Sequence, residues 1–422
     1  MSSLFPFRRT RAGRPPLGRD FTLLWRASAL TNLGDGALLA AGPLLVASVA
    51  PSPLAVAGAA AVQTAPHLLF SPFAGALVDR LPRRSVLVAA DLARGAVLAL
   101  LALAVLTGGA HLWTVYAAVF ALGVGETLAD TAYGALVPSV VPRELLGRAN
   151  ARLALTFSLN NQLLGPPLGA ALFAVLWALP FGFDALAYAV AGLVVLRLSV
   201  RPRTPEPERR NGGGLWADTL GGLVFVGGVP VLRTLTGCIL VMNLTGVGAF
   251  SIWVLYAREH LGLSEAGFGL FIAAGAVGGV VGSRVYGFWE PRVGRAFLLR
   301  WGLVLEAATY AALALVASPW AAGAVMALFG VHAVVWGTAA VTVRQSVTPD
   351  GLLGRAAGVY RWADLGGAAL GAVLGGALAQ TLGLLAPFWV AAAAVGVLAA
   401  VAWRPLGAAD AEPAAGNSGR RS

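Results

Sequence analysis

The sequence contains no lysine, one cysteine, four histidines and few charges of any kind: 12% of its 422 residues, against about 25% in a soluble domain. The lone Cys238 excludes an internal disulfide framework and any cysteine-based metal site. The sequence has no glycine-rich phosphate loop, no close-spaced run of metal ligands and no nucleophile–base arrangement. ATP-driven pumping and enzymatic chemistry are therefore not expected, and neither a cofactor nor a metal is called for. The first twenty residues carry Arg8, Arg9, Arg11, Arg14 and Arg19 but no short apolar core with a small-residue cleavage site. Residues 1–20 read as a cytoplasmic tail rather than a signal peptide.

What is abundant is hydrophobic: 58% of the chain, with 54 glycines and a mean hydropathy of +0.77. A spanning helix needs about 20 apolar residues. Twelve segments meet that length: 21–49, 53–78, 85–107, 112–138, 152–175, 178–198, 231–257, 263–288, 295–316, 319–343, 357–380 and 384–403. Loops alternate in character. Those after spans one, three, five, nine and eleven carry no arginine, and the one after span seven carries only Arg258. The others hold the rest of the loop arginines. The positive-inside rule then predicts a multi-pass protein of the inner (plasma) membrane with both termini cytoplasmic. The net charge of +11 reads as anchoring to an anionic leaflet, with no nucleic-acid partner expected.

Residues Arg201 to Gly214, rich in proline, glycine and charge, split the spans six and six as a flexible linker. Residues 215–229 behind it read as an amphipathic surface helix. The expected organisation is a first bundle over 21–198, a linker over 199–230, a second bundle over 231–404 and a disordered cytoplasmic tail over 405–422. The halves repeat each other. Ser139-Val-Val-Pro-Arg-Glu-Leu-Leu-Gly-Arg-Ala149 matches Ser346-Val-Thr-Pro-Asp-Gly-Leu-Leu-Gly-Arg-Ala356, and Asn32-Leu33 echoes Asn243-Leu244. A repeat with both copies in one orientation implies two six-helix bundles about an axis along the membrane normal, with a site between them near the midplane.

The loop Gly75-Ala-Leu-Val-Asp79-Arg80-Leu-Pro-Arg83-Arg84 has the pattern G-x-x-x-D-R-x-x-R-R. It resembles the loop between helices two and three of major facilitator superfamily transporters, and the resemblance extends over nearly the whole chain. It implies an all-α membrane fold of 12 helices and a protein that works as a monomer. It also implies a gate in which the acid of this motif contacts the start of helix eleven. Asp79 beside the N-terminal dipole of that helix would contribute about 0.3–1 kcal/mol, a contact weak enough to break in each cycle. Asp91 and Arg94, one turn apart, are expected to extend that gate. The plainer alternative is a loop that only sets topology.

Gly165-Pro-Pro-Leu-Gly169 resembles the helix-five core that marks antiporters of the superfamily, with Gly165, Pro166 and Gly169 in place. In that fold spans five and eight face each other, and Gly275, Gly278, Gly279 and Gly282 offer span eight a matching surface. Generic small-residue packing is the alternative.

Acids inside apolar spans are functional candidates by default. Asp35, Glu126, Asp130, Asp184, Glu306 and Asp364 qualify. The resembling fold lines its cavity with spans one, four, seven and ten, which favours Asp35, Glu126 and Asp130. Glu126 and Asp130, four apart on one helical face, suit proton uptake and release, with Glu126 foremost. Each acid could instead serve a structural pair: Arg26 with Asp35, Arg152 with Asp130, Arg361 with Asp364. Span four lacks the arginine that drug antiporters of the family carry. His67 and His332 could shuttle protons or be structural. Asn32, Asn160, Asn161, Gln162, Asn243, Trp253 and Trp336 are candidates for the substrate cavity, or for bonding between helices.

Phe21-Thr-Leu-Leu-Trp25 and Asn32-Leu-Gly-Asp35 resemble the branch that holds enterobactin exporters and macrolide efflux proteins, as does Val141-Pro-Arg-Glu-Leu-Leu-Gly-Arg-Ala-Asn150. The resemblance implies export of bulky organic molecules, of drug or siderophore type, by proton-coupled alternating access. An importer, a lipid flippase or a non-transporting membrane sensor remain open at this point.

Overall fold

The computed structural model describes residues 17–199 and 215–410, and all of it is helical or loop. Most of the expected tail 1–20, the linker arginines and residues 411–422 lie outside the described residues. The side chain of Asp79 does too.

The helices are Arg19–Val49 (α1), Pro53–Arg80 (α2), Arg83–Leu106 (α3) and Leu112–Val140 (α4). Next comes a continuous run over 146–175 (α5), built from Leu146–Thr156, a π-helical turn Phe157–Leu164 and Gly165–Val175. Leu179–Val195 (α6) closes the first half. A surface helix Leu215–Gly228 precedes Pro230–Phe250 (α7). The 51-residue helix Glu265–Leu315 breaks at Gly294, φ 77°, into α8 (265–293) and α9 (295–315). Pro319–Val347 (α10), Leu353–Leu382 (α11) and Ala386–Ala402 (α12) complete the second half. Eight helices of the described residues are long and apolar enough to cross a membrane if the broken one is taken as a single helix, and α6 and α12 are shorter apolar helices.

The start of α1 at Asp20, the Arg80–Arg84 loop and the ends of α4 and α6 lie at one end of the first half, here the terminal side. Within each half the helices approach through glycines. Gly36 of α1 meets the Asn160 and Asn161 carbonyls of α5, and Gly165 and Gly169 of α5 lie on Gly36 and Ala37. The second half repeats this with Gly248 of α7 against Gly371 and Gly375 of α11. Gly275 and Gly278 of α8 lie against Ala327 and Gly330 of α10. Except at Gly275, a Cβ at these glycines would sit inside backbone of the facing helix, which is how small residues permit close packing in a bilayer.

This corrects one expectation. The glycines of the antiporter-like motif pack on α1, and Gly275, Gly278, Gly279 and Gly282 pack on α10. Helices five and eight do meet, through a different glycine: Gly269 rests on Pro166, Pro167 and Ala170. On the other seam Gly376 of α11 rests on Pro53, Leu54 and Ala57 of α2. Both of these contacts between halves lie toward the far side. Gly330→Val is expected to destabilise the fold by about 1–3 kcal/mol or more through overpacking. Valine at Gly337, where a Cβ meets nothing within 4 Å, lacks that clash. A thermal unfolding midpoint in detergent that fell equally for both would refute the packing argument.

The tail does not begin at 405. Pro405–Asp410 is a short 3-10 segment with Leu406 and Ala409 buried. Asp410 Oδ1 accepts the backbone N–H of Arg295 at 2.7 Å and of Ala296 at 3.2 Å. It caps α9 just after the break, where a side chain at Gly294 would also collide with it. On the surface helix Gly221 and Gly222 face Arg355, while Leu220, Leu223 and Val224 are exposed.

Candidate functional site

A cavity of about 440 Å³ runs from the middle of the first bundle toward the terminal side. α1, α3, α4 and α5 contribute most of its lining, with Val195 from α6. Its lining comes from the first half alone, with Arg361 of α11 near enough for its charge to act on His67 and Asp130. Its polar walls hold Asn32 and Asp35 from α1, Asp91 and Arg94 from α3, Glu126 and Asp130 from α4, and Asn161 from α5.

The central contact is an ion pair. Arg94 Nη2 donates to Asp35 Oδ1 at 2.9 Å, and the Tyr188 hydroxyl donates to the same oxygen at 2.5 Å. The guanidinium also lies 4.2 Å from the centre of the Tyr188 ring. Charge-assisted bonds in a desolvated site are the strong ones, and a stacked arginine keeps a fixed orientation. Arg94 thus lines the cavity, and Asp35 pairs with it rather than with Arg26. The arginine in this cavity comes from α3 and not from span four. Asp91 is buried on the same wall. Behind the pair Asp184 is fully buried against Gly34, and neither of its carboxylate oxygens has a hydrogen-bond partner.

Glu126 and Asp130 project from successive turns of α4, which is what four-residue spacing on a helix gives. Asp130 is exposed to the cavity. Among the described residues neither has an arginine at ion-pair distance, and Arg152 instead stacks 3.7 Å over Trp25. Across α2, His67 Nε2 stands 4.0 Å from Glu126 Oε2. The ligand atoms of His67, Glu126 and Asp130 all lie within 4.8 Å of one another. The sequence contains no close-spaced ligand run, because these three residues come together only through the packing of α2 on α4.

The other candidates separate. Asn32 bonds back to the Ser28 carbonyl at 2.7 Å yet still lines the cavity. Asn160 donates to the Ala29 carbonyl at 2.8 Å and so ties α5 to α1. Asn161 lines the cavity, and Gln162 is exposed outside it. In the second half Asn243 donates to Asp364 at 3.0 Å. Trp253 belongs to an aromatic cluster with Phe250 and Phe271. Trp336 is buried against Gly302. His332 and Glu306 form a buried pair at 3.0 Å, which Tyr310 completes by donating to Glu306 at 3.0 Å. Asn243, Trp253 and Trp336 thus lie away from this cavity.

At the terminal side Arg83 donates to the Ala135 carbonyl at 3.1 Å and Arg84 to the Leu196 carbonyl. Both bonds stay inside the first bundle. Arg80 is exposed, and a Cβ on Gly75 would meet nothing within 4 Å. The described contacts of the motif thus bind α3 to the ends of α4 and α6.

The family profile described as Major Facilitator Superfamily matches residues 24–363 and again 237–421. An uncharacterized MFS-type transporter of Mycobacterium tuberculosis is 32% identical over 282 residues, 61% of this chain and 62% of its own length. The chain thus spans about six tenths of that relative. The enterobactin exporter of Citrobacter koseri is 28% identical over 320 residues, 72% of each chain. Among solved structures a point mutant of the nucleoside transporter NupG aligns over 92% of this chain and all of its own, with TM-score 0.76 and 11% identity. A bacterial homologue of the iron transporter ferroportin aligns over 93% of this chain and all of its own, with TM-score 0.73 and 20% identity. At such identities the structural likeness speaks for the fold. With its helices in two repeated bundles and a family match across both halves, the chain belongs to the major facilitator superfamily and has an all-helical, multi-pass membrane fold.

Proposed function

We propose that the chain exports bulky organic molecules, of drug or siderophore type, from the cytoplasm in exchange for protons by alternating access. The observation that carries this reading is the cavity of the first bundle. It reaches the arginine-rich side, and its wall presents Glu126 and Asp130 beyond the satisfied Asp35–Arg94 pair. By the positive-inside rule that side is cytoplasmic, so the cavity receives cargo from within the cell. The contacts between halves near the far side, Gly269 on Pro166 and Gly376 on Pro53, support a state closed at the outward end. Rocking about the two seams would then close the Asp79–Arg84 loop over the terminal side, as the motif implies. The likeness to enterobactin exporters supports the class of cargo.

The test uses everted membrane vesicles acidified inside and a panel of a catecholate siderophore, a macrolide and a lipophilic cation. Accumulation of at least one, collapsed by a protonophore, is expected. No accumulation of any, or accumulation indifferent to the protonophore, would refute the reading. Orientation has its own check, since Cys238 is buried and replaceable. Single cysteines at Thr107 and Ser199 are expected to label from opposite faces of the bilayer. Labelling from one face would overturn the topology.

A further inference from the structure

We infer that His67, Glu126 and Asp130 form a binding site for a divalent first-row transition-metal ion at the wall of the cavity. The inference shares two carboxylates with the exchange reading above but does not depend on its cargo. The three come from two helices that pack directly, α2 and α4. Their ligand atoms lie within 4.8 Å of one another, and His67 Nε2 faces Glu126 Oε2 at 4.0 Å. Metal–nitrogen and metal–oxygen bonds of about 2.0–2.2 Å set cis ligands about 3 Å apart, so a small side-chain adjustment closes the set.

The His67 ring is also hydrogen-bonded to the Gln63 backbone one turn earlier. An outer-shell bond of that kind fixes the orientation of a metal-ligating imidazole. Asp130 is exposed and lines the cavity with Glu126, which provides a path of entry. The local charge favours a cation. Asp35, Glu126 and Asp130 outnumber the two arginines whose charge reaches the site, Arg94 and Arg361. One imidazole with two carboxylates suits zinc, iron, cobalt or manganese, whereas magnesium and calcium take oxygen ligands alone.

The test is calorimetric titration of the purified full-length chain in detergent, with any affinity tag removed. Zn²⁺, Mn²⁺ and Mg²⁺ serve as probes. One Zn²⁺ per chain is expected, with Mg²⁺ silent. His67→Gln and Asp130→Asn should each weaken Zn²⁺ about tenfold or more, and His111→Gln, in an exposed loop, should leave it unchanged. Intrinsic tryptophan fluorescence checks that each variant is folded, and either folded ligand variant decides the matter. Absence of Zn²⁺ binding, or the same affinity in the folded variants as in the parent, would overturn the site. The two readings fail separately. Proton-driven export from a chain that binds no metal removes only this one, and a chain that binds Zn²⁺ through His67 but moves no organic compound removes only the other.

Discussion

Arg94→Met is expected to destabilise the folded chain by about 3–5 kcal/mol, the cost of removing one partner from a buried ion pair. Arg94 has a side chain only 8% exposed and meets Asp35 at 2.9 Å. Its charge also reaches Asp184, whose buried carboxylate has no hydrogen-bond partner of its own. Methionine keeps most of the volume but leaves two acids without a compensating charge. The measurement is the unfolding midpoint in detergent, followed by intrinsic fluorescence. Adding Asp35→Asn to Arg94→Met should restore part of the loss, because the acid stranded by the first change is then neutral. If Arg94→Met unfolds where the parent does, the pair is not holding the first bundle together.

Glu126→Gln is expected to cut proton-driven export by about tenfold or more. Such a loss corresponds to only about 1.4 kcal/mol in the rate-setting step. The change is isosteric and removes one titratable oxygen from a wall where no arginine lies at ion-pair distance. Stability should therefore hardly move, in contrast with Arg94→Met. The measurement is flux in proteoliposomes under an imposed pH gradient, with cargo exchange at zero gradient as the partner assay. A loss confined to gradient-driven flux marks Glu126 as part of the coupling step. Undiminished gradient-driven flux would return that role to Asp130 or Asp35.

Sequence carried the fold further than the site. Period and length of the apolar runs give the spans, because a bilayer of fixed thickness leaves the chain little choice. The repeat around Ser139 and Ser346 gives the two bundles. Helix facing is what the sequence leaves open, and Arg94 is the instructive case. Three residues after Asp91, near a loop already full of charge, it reads as one more gate residue. Only the rotation of α3 turns it toward Asp35, and only the packing of α6 adds Tyr188 to the same oxygen. Gly165 and Gly169 give the same lesson. The motif announces a close helix contact, but small residues do not say which neighbour they admit, and it is α1. His67 was visible as one histidine in an apolar run. Its relation to Glu126 depends on the register of α2 against α4, which local sequence does not encode.

The clasp between Asp410 and the start of α9 bears on how this protein is handled at the bench. Residues 405–410 resemble a loose end yet seal the base of the second bundle. A reporter fused at residue 404 would strip the cap from two backbone N–H groups and empty the seat of Leu406. The earliest safe junction for a tag therefore lies beyond Asp410.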